Sequence, residues 1–500
     1  MRKTILWLLG FSSIGILAIS CADWSDLCAG GICDAVTNSV DGGDLCVNTP
    51  TDSSCFDETT TLFVSMSGND SGIGTKLNPY NRLSVALNNI TSDKKRIRIC
   101  DDGTYPESVS LTKEHSSVTL LGAATCNNGD WQYSSESRPK FRADTITLQV
   151  TGASSISISN MEFDATGADS AGTSIGALVA GSSITFTNVT IMAGTGGTGR
   201  DGELNLNYDS ATNPRALPGN PPAGTRGGAA QTDCSCNNQV PLQSQGGKGG
   251  DSVPAATGGE PGSPPSGDGR GIGGSSGAVS CNSGGNGYDG ALGGPGDDGN
   301  VPSLSADSTT VNSIFGILDN SGWTPATSAS GKTGSVGQGG GGGAGGVNGG
   351  GGGGGGGCGG CGGGGGGGAQ AGGASLALVS FNNIDVQLNG CTLIAKQAGN
   401  GGHGVAGQGG QPGGSGGVAM AACAGGTGGT GGNGGASAGG AGGISAGVLY
   451  SGPTNRPKAD PVTMKNIKVN TTVATGGPGG NLAVNTGPRG RSETFLMWQQ

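Results

Sequence analysis

The chain has 500 residues, 111 of them glycine, with only 5 Trp, 6 Tyr and 9 Phe and 12% charged positions. Length alone suggests roughly three domains, but most of the middle has so little to bury that a helical bundle, a conventional α/β enzyme or a polytopic membrane protein is hard to build from it. A net charge of −10 argues against a nucleic-acid partner, because affinity for phosphate backbones rests on clustered Lys and Arg.

Met1-Arg2-Lys3 is a short basic start, Thr4 to Ile19 is mostly apolar, and the stretch ends Leu17-Ala18-Ile19-Ser20-Cys21. This is the pattern of an export signal over residues 1–20, short of the roughly 20 apolar residues a span would want. The small residues directly before Cys21 resemble the lipobox of bacterial lipoproteins, in a relaxed form with Leu17 one place early. The resemblance implies lipidation of Cys21 and a membrane-anchored protein of the outer membrane or cell surface; several acyl chains are what stable anchoring needs. The other reading is an ordinary secretory signal with Cys21 in a disulfide. Residues 21–60 then form a Cys-rich tether. Cys28, Cys33, Cys46 and Cys55 lie in an Asp/Ser/Thr/Gly-rich segment that only disulfides could staple. Cys100 and Cys126 bracket one turn of the region that follows and are expected to pair. The connectivity of the rest stays open.

Thr61 to Leu87 contains a strand at Phe63-Val64, a Gly/Asp-rich turn, Gly74-Thr75, then Asn78-Pro79-Tyr80. Leu83, Ala86, Leu87 and Ile90 follow at i, i+3, i+4, i+7, the stripe of one small amphipathic helix. With Asp102 to Glu107, this stretch resembles the first coils of right-handed parallel β-helix proteins of the pectate-lyase-like type. The resemblance implies a helix that covers the open end of a coil, where bare strand edges would otherwise meet water. It implies a fold and no particular activity.

Period-two patterns support the same fold independently. Ser155 to Phe163 superimposes on Ser183 to Ile191, on Asp385 to Leu393 and on Pro461 to Val469. Each alternates apolar and polar residues on both sides of a shared middle position. That position holds Asn160, Asn188, Gly390 and Asn466, the residue types that most readily take a left-handed backbone. Strand, left-handed corner, strand is a bend between two sheets of a coil, and stacked coils would place the asparagines in a column. The expected fold is therefore all-β, a single right-handed parallel β-helix with long glycine-rich insertions on one flank. Residues 61–193 form its N-terminal part, 194–373 a glycine-rich insertion, and 374–500 the C-terminal part with a second excursion over 399–443.

Each glycine-rich stretch begins a few residues after the second strand of a repeat, which is why all should leave at one corner. Flexible coil is the default for such sequence. Ala424 to Gly432, however, has a three-residue rhythm, the period of a threefold extended helix. In this the chain resembles glycine-rich slabs of some phage adhesins and antifreeze proteins and mycobacterial glycine-rich surface proteins. Order and disorder both remain open here, with order less expected for the nine-glycine run Gly349 to Gly357.

Gly-Gly-x-Gly-x-Asp ends at Asp201, Asp251, Asp289 and Asp298; the last two copies are nine residues apart and resemble calcium-binding β-roll repeats. Ala291 and Asn300 stand where those repeats carry a large apolar residue, so no cofactor is assigned and Ca²⁺ is kept as a minor alternative. Cys358-Gly359-Gly360-Cys361 and Cys234-Ser235-Cys236 could form a zinc site; disulfides pinning a glycine segment suit an exported chain better. Glycan cleavage would need converging carboxylates. Glu162, Asp164, Asp385 and the Arg200-Asp201-Glu203 cluster are the candidates, with isolated His115 and His403, and solvated surface is the better reading for all of them. No catalytic or metal residue is assigned. Thr494 to Trp498 is either a plug for the far end of the coil or a frayed tail. The expected function is a non-catalytic envelope or adhesive role, bound to the membrane by its lipid and to a polysaccharide or host-surface ligand. The alternative is a polysaccharide lyase or glycoside hydrolase of the β-helix type.

Overall fold

The computed structural model describes residues 45–236, 244–264, 270–276, 280, 282, 284, 313–481 and 485–499. The export signal, Cys21, Cys28, Cys33, Asp289 and Asp298 lie outside the described residues. What is described is all-β with few helices, built on three long parallel sheets and compatible with a parallel β-helix. Sheet A stacks Thr61–Val64, Arg96–Ile99, Thr119–Leu121, Ile156–Ser159, Ser183–Thr187, Asp385–Asn389 and Lys458–Ala459. Sheet B stacks Thr104–Tyr105, Lys140–Ala143, Glu162–Ala165, Thr190–Ala193, Thr392–Ala395 and Ile467–Val469. Sheet C stacks Val109–Thr112, Ile146–Thr151, Ser174–Ala180, Ser375–Phe381, Ile444–Ser451 and Arg491–Trp498. From Arg96 onward the chain visits A, B and C in turn, so each visit is one rung.

Register places like on like. Ile97, Leu120, Ile158, Phe186 and Leu388 align down sheet A. Tyr105, Phe141 and Phe163 align down sheet B, with ring centroids 4.9 and 5.7 Å apart. All eight are buried in one interior cluster, where alternation along each strand has sent them.

The A-to-B corner carries Asn160 at φ 53°, Asn188 at φ 53° and Gly390 at φ 64°. The bonds between rungs there are main-chain: the Asn160 N–H donates to Thr187 O at 3.0 Å and the Asn188 N–H to Asn389 O at 2.8 Å. A second left-handed column stands at the C-to-A corner, with Gly152, Gly181, Asn382 and Gly452.

The fourth aligned copy is a correction. Pro461–Asn466 is a helix, and only Ile467–Val469 is strand. Asp460 caps that helix, its carboxylate accepting the Thr463 N–H at 2.7 Å, and Pro461 sits in the first turn. Proline has no N–H for a ladder but suits a helix start. The two-residue strand Lys458–Ala459 takes the place on sheet A instead.

The N-terminal end is closed as expected. Helix Leu83–Asn88 buries Leu83, Ala86 and Leu87 in the interior cluster. Its first N–H groups are satisfied from another turn: Glu107 accepts from Leu83 at 2.7 Å and Ser84 at 3.2 Å. Cys46–Cys55 and Cys100–Cys126 are disulfides in this region. The Thr494 to Trp498 cluster belongs to the last strand of sheet C. Neither a plug nor a frayed tail describes it: Phe495 and Met497 face the interior cluster, while Leu496 and Trp498 face a second one outside sheet C.

That second cluster was not foreseen. A hairpin, Gly316–Asp319 with Gly322–Pro325, lays Phe315, Leu318 and Trp323 over Leu178, Val379 and Leu449. The middle strands of sheet C are thus buried on both faces: Ser174–Ala180 is buried at all seven positions, and Ser375–Phe381 and Ile444–Ser451 at all but the last.

Long glycine-rich segments run from sheet B to sheet C within successive rungs, leaving after Ala193, Ala395 and Val469 and returning at Ser375, Ile444 and Arg491. A serine near each return ties off the excursion. Ser375 Oγ donates to Gly194 O at 2.7 Å, Ser445 Oγ to Lys396 O at 2.7 Å, and Ser492 Oγ to Asn470 O at 2.6 Å. Within the segments, hydrogen bonds recur every third residue. Gly331, Gly334, Gly337, Gly340 and Gly343 donate to Gly366, Gly363, Gly360, Gly357 and Gly354. Gly357, Gly360, Gly363 and Gly366 donate in turn to Gly426, Gly429, Gly432 and Gly435, which donate back to Gly341, Gln338, Ser335 and Lys332. Three segments thus close a triangle, and residues 352–366 at its centre are buried throughout. A threefold extended helix aims successive N–H groups in three directions, so buried main chain is satisfied on all sides without a sheet. Part of the nine-glycine run belongs to this lattice.

Candidate functional site

Sheet B turns a charged cluster outward. Register sets Lys140 beside Glu162 and Arg142 beside Asp164. Lys140 Nζ lies 2.5 Å from Glu162 and 3.0 Å from Asp164, and Arg142 reaches the same Asp164 oxygen at 2.7 Å. Burial alone would raise the Asp164 carboxyl, but hydrogen bonds and charge from Arg142 and Lys140 outweigh it and hold the group below 3.8. Burial likewise works to lower the Lys140 ammonium, and its bonds to the two carboxylates turn the net shift upward. A carboxylate held ionised between two cations is a poor general acid. Because Asp164 is depressed in the folded chain, its stabilisation is present above about pH 4 and is lost as pH falls through the lower folded value. Asp164→Asn should cost about 1–3 kcal/mol at pH 7 and flatten the acid limb of a Tm profile taken from pH 6 to 2. An unchanged acid limb would show that the pair carries no linkage.

The other sequence candidates are scattered. Asp385 sits on sheet A, 2.9 Å from Lys458, with Gln387 donating to it at 2.7 Å. These bonds, Gln387 first, lower its carboxyl. His115 Nδ1 meets the Thr112 N–H at 2.9 Å; burial lowers its imidazole, and its role there is a turn cap. Asp201 accepts the N–H of exposed His403 at 2.7 Å. Asp251 accepts the Gly227 N–H at 2.7 Å. Both aspartates therefore already serve as lattice acceptors.

Arg200, Asp201 and Glu203 line a groove of about 310 Å³ with Asn205, Thr327 and Gln370. It is walled by main chain at Gly367 and Gly368, and Asp201 and Glu203 are the two carboxylates that line it. A shallower cavity of about 440 Å³ lies at the C-to-A corner, lined by Phe381, Asn382, Ser451, Asn455 and Trp498. Sequence reasoning missed it, because these residues converge only through the second left-handed column.

The cysteines near the lattice cross-pair. Cys234 joins Cys358 and Cys236 joins Cys361, tying the outgoing segment to the buried central one; Cys423 is also disulfide-bonded. These thiols are spent in bridges, so they offer no zinc site. Cys391 is a free, buried thiol that burial pushes up to about 11, which makes it unreactive at neutral pH.

The lattice presents the most regular surface. Asn400, His403 and Ala406 are exposed at three-residue intervals along one segment. The neighbouring segment has Thr427 and Asn433 exposed and Thr430 half-buried at the same interval, and the two segments are bonded from Gly428 to Gly414 and from Gly431 to Gln411. A threefold helix repeats about every 9 Å along its axis. Each segment therefore carries its own row of side chains at a fixed interval, separated by backbone.

No family model matches the chain. No curated protein matches it. No solved structure matches it.

Proposed function

We propose that this is an exported, lipid-anchored bacterial surface protein whose role is adhesive, with a polysaccharide as its ligand. The coil is read as a right-handed parallel β-helix of the pectate-lyase-like type, and the glycine-rich segments as insertions on one flank. The Leu17 to Cys21 pattern and the disulfides support export and anchoring. One observation carries the binding reading: side chains that repeat at fixed intervals on adjacent lattice segments match a ligand that itself repeats. The ion-paired state of Glu162 and Asp164 favours binding over cleavage.

A glycan-binding profile of the full chain, with and without calcium, tests this directly. Binding to a polysaccharide series without release of new reducing ends is the expected outcome. Glycan turnover abolished by Asp201→Ala or Glu162→Ala would replace the reading with an enzymatic one. Radiolabelled palmitate incorporation that is lost in Cys21→Ala is expected for the anchor, and an unlabelled wild type would remove it.

A further inference from the structure

Charge is divided unevenly along the chain. Residues 374–500 carry seven Lys/Arg and three Asp/Glu, whereas residues 1–373 carry 18 and 32. Six of those seven bases, Arg456, Lys458, Lys465, Lys468, Arg489 and Arg491, lie on the last rung or the segments that join its strands. Seven strands of sheet A at about 4.8 Å spacing put this rung roughly 29 Å from the first. The basic residues therefore gather at the end of the coil opposite the disulfide Cys46–Cys55.

The acids nearby do not neutralise them. Asp460 is engaged by the Thr463 and Gly390 N–H groups, and Asp385 takes Lys458 alone. Glu493 is the remaining acid on the last strands. Lys465, Lys468 and Arg489 are exposed and enter no ion pair among the described residues. Arg456 is exposed too, its guanidinium 4.7 Å over the Phe495 ring. Next to it in sequence is Asn455, which lines the 440 Å³ cavity with Phe381, Ser451 and Trp498. Aromatic carbon beside amide and hydroxyl groups is the lining that a sugar ring fits.

We propose that the C-terminal end of the coil is a docking surface for an anionic polysaccharide, whose acid groups meet Arg456, Lys465, Lys468 and Arg489. This rests on the glycan-binding reading and makes it specific in charge and place. A lipid surface is less favoured because exposed Val462 and Met464 are separated by polar Thr463 and followed by Lys465 and Asn466.

The test measures binding of the full chain to immobilised dextran sulfate and neutral dextran at 50 and 300 mM salt. The combined variant Lys465→Glu, Lys468→Glu, Arg489→Glu is compared with an equal charge change elsewhere, Lys113→Glu, Arg226→Glu, Lys332→Glu. Salt-sensitive binding to dextran sulfate, weakened about tenfold or more by the first set and about twofold or less by the second, supports the proposal. The milder pair Lys465→Gln, Lys468→Gln should weaken it less but in the same direction, at an unchanged Tm. Equal loss in both triple variants, or tighter binding to anionic vesicles or duplex DNA than to dextran sulfate, overturns it. Binding to neutral dextran alone defeats this inference and leaves the glycan reading standing. Failure to bind any glycan defeats both.

Discussion

Gly360→Ala is expected to open the glycine lattice while leaving the three sheets folded. Gly360 donates to Gly429 O at 2.9 Å and accepts from the Gly337 N–H at 2.8 Å. The third side of its backbone faces Gln411 O, which would stand 1.7 Å from a β-carbon. Carbon and oxygen do not approach within 3 Å without bonding, so the methyl must push a whole segment away. That segment is itself bonded in three directions, and the strain spreads along it. Overpacking in a close-packed interior costs about 1–3 kcal/mol and occasionally more; with no flexible side chain to yield, the upper end is expected. Gly431→Ala, 1.9 Å from Cys361 O, should behave alike. Gly409 is the control: its nearest neighbour would be Asn433 Oδ1 at 3.9 Å, and Gly409→Ala should be silent. Hydrogen exchange over residues 354–366 and tryptic cutting at Arg226, Lys248 and Lys332 would read the difference. If Gly360→Ala keeps wild-type protection and trypsin resistance, the threefold packing is wrong.

The same geometry explains which parts of this architecture were legible beforehand. Asn160, Asn188 and Gly390 announced a corner because a left-handed backbone admits few residue types and alternating strands flank each one. Asp460-Pro461 marks a helix start, which the apparent alternation through Val462 and Met464 conceals. The column Gly152, Gly181, Asn382 and Gly452 left little periodic trace, because three of the four strands before it, Ser174–Ala180, Ser375–Phe381 and Ile444–Ser451, are buried almost throughout and do not alternate. Cys234 and Cys358 are 124 residues apart, a pairing that spacing cannot disclose. The ion pairs of Glu162 and Asp164 with Lys140 and Arg142 depend on register between separate rungs. The lattice was legible only as a rhythm, since its bonds join segments far apart in sequence.

Trp323→Ala should destabilise sheet C more than any substitution on an exposed loop. Trp323 packs edge-on against Trp498 at 4.6 Å, with an interplanar angle of 84°, and Phe315 meets the same Trp498 at 6.5 Å. These aromatics hold the Gly316–Pro325 hairpin over Leu178, Val379 and Leu449, which are fully buried only while it stays in place. Truncating a buried tryptophan costs about 3–5 kcal/mol through lost transfer energy and the cavity left behind. The indole also anchors the last strand, Arg491–Trp498, which pairs on only one side, with Ile444–Ser451, among the described residues. Loosening should therefore reach the C-terminal rung before the N-terminal one, where Glu107 and two disulfides hold the end closed. Expected results are a lowered Tm, new binding of an apolar dye, and faster exchange in Arg491–Trp498 than in Val109–Thr112. Ile317→Ala, at a position 54% exposed on the same hairpin, should change none of these. A Trp323→Ala protein that melts like wild type and binds no dye would mean that the outer face of sheet C does not depend on the hairpin for its burial.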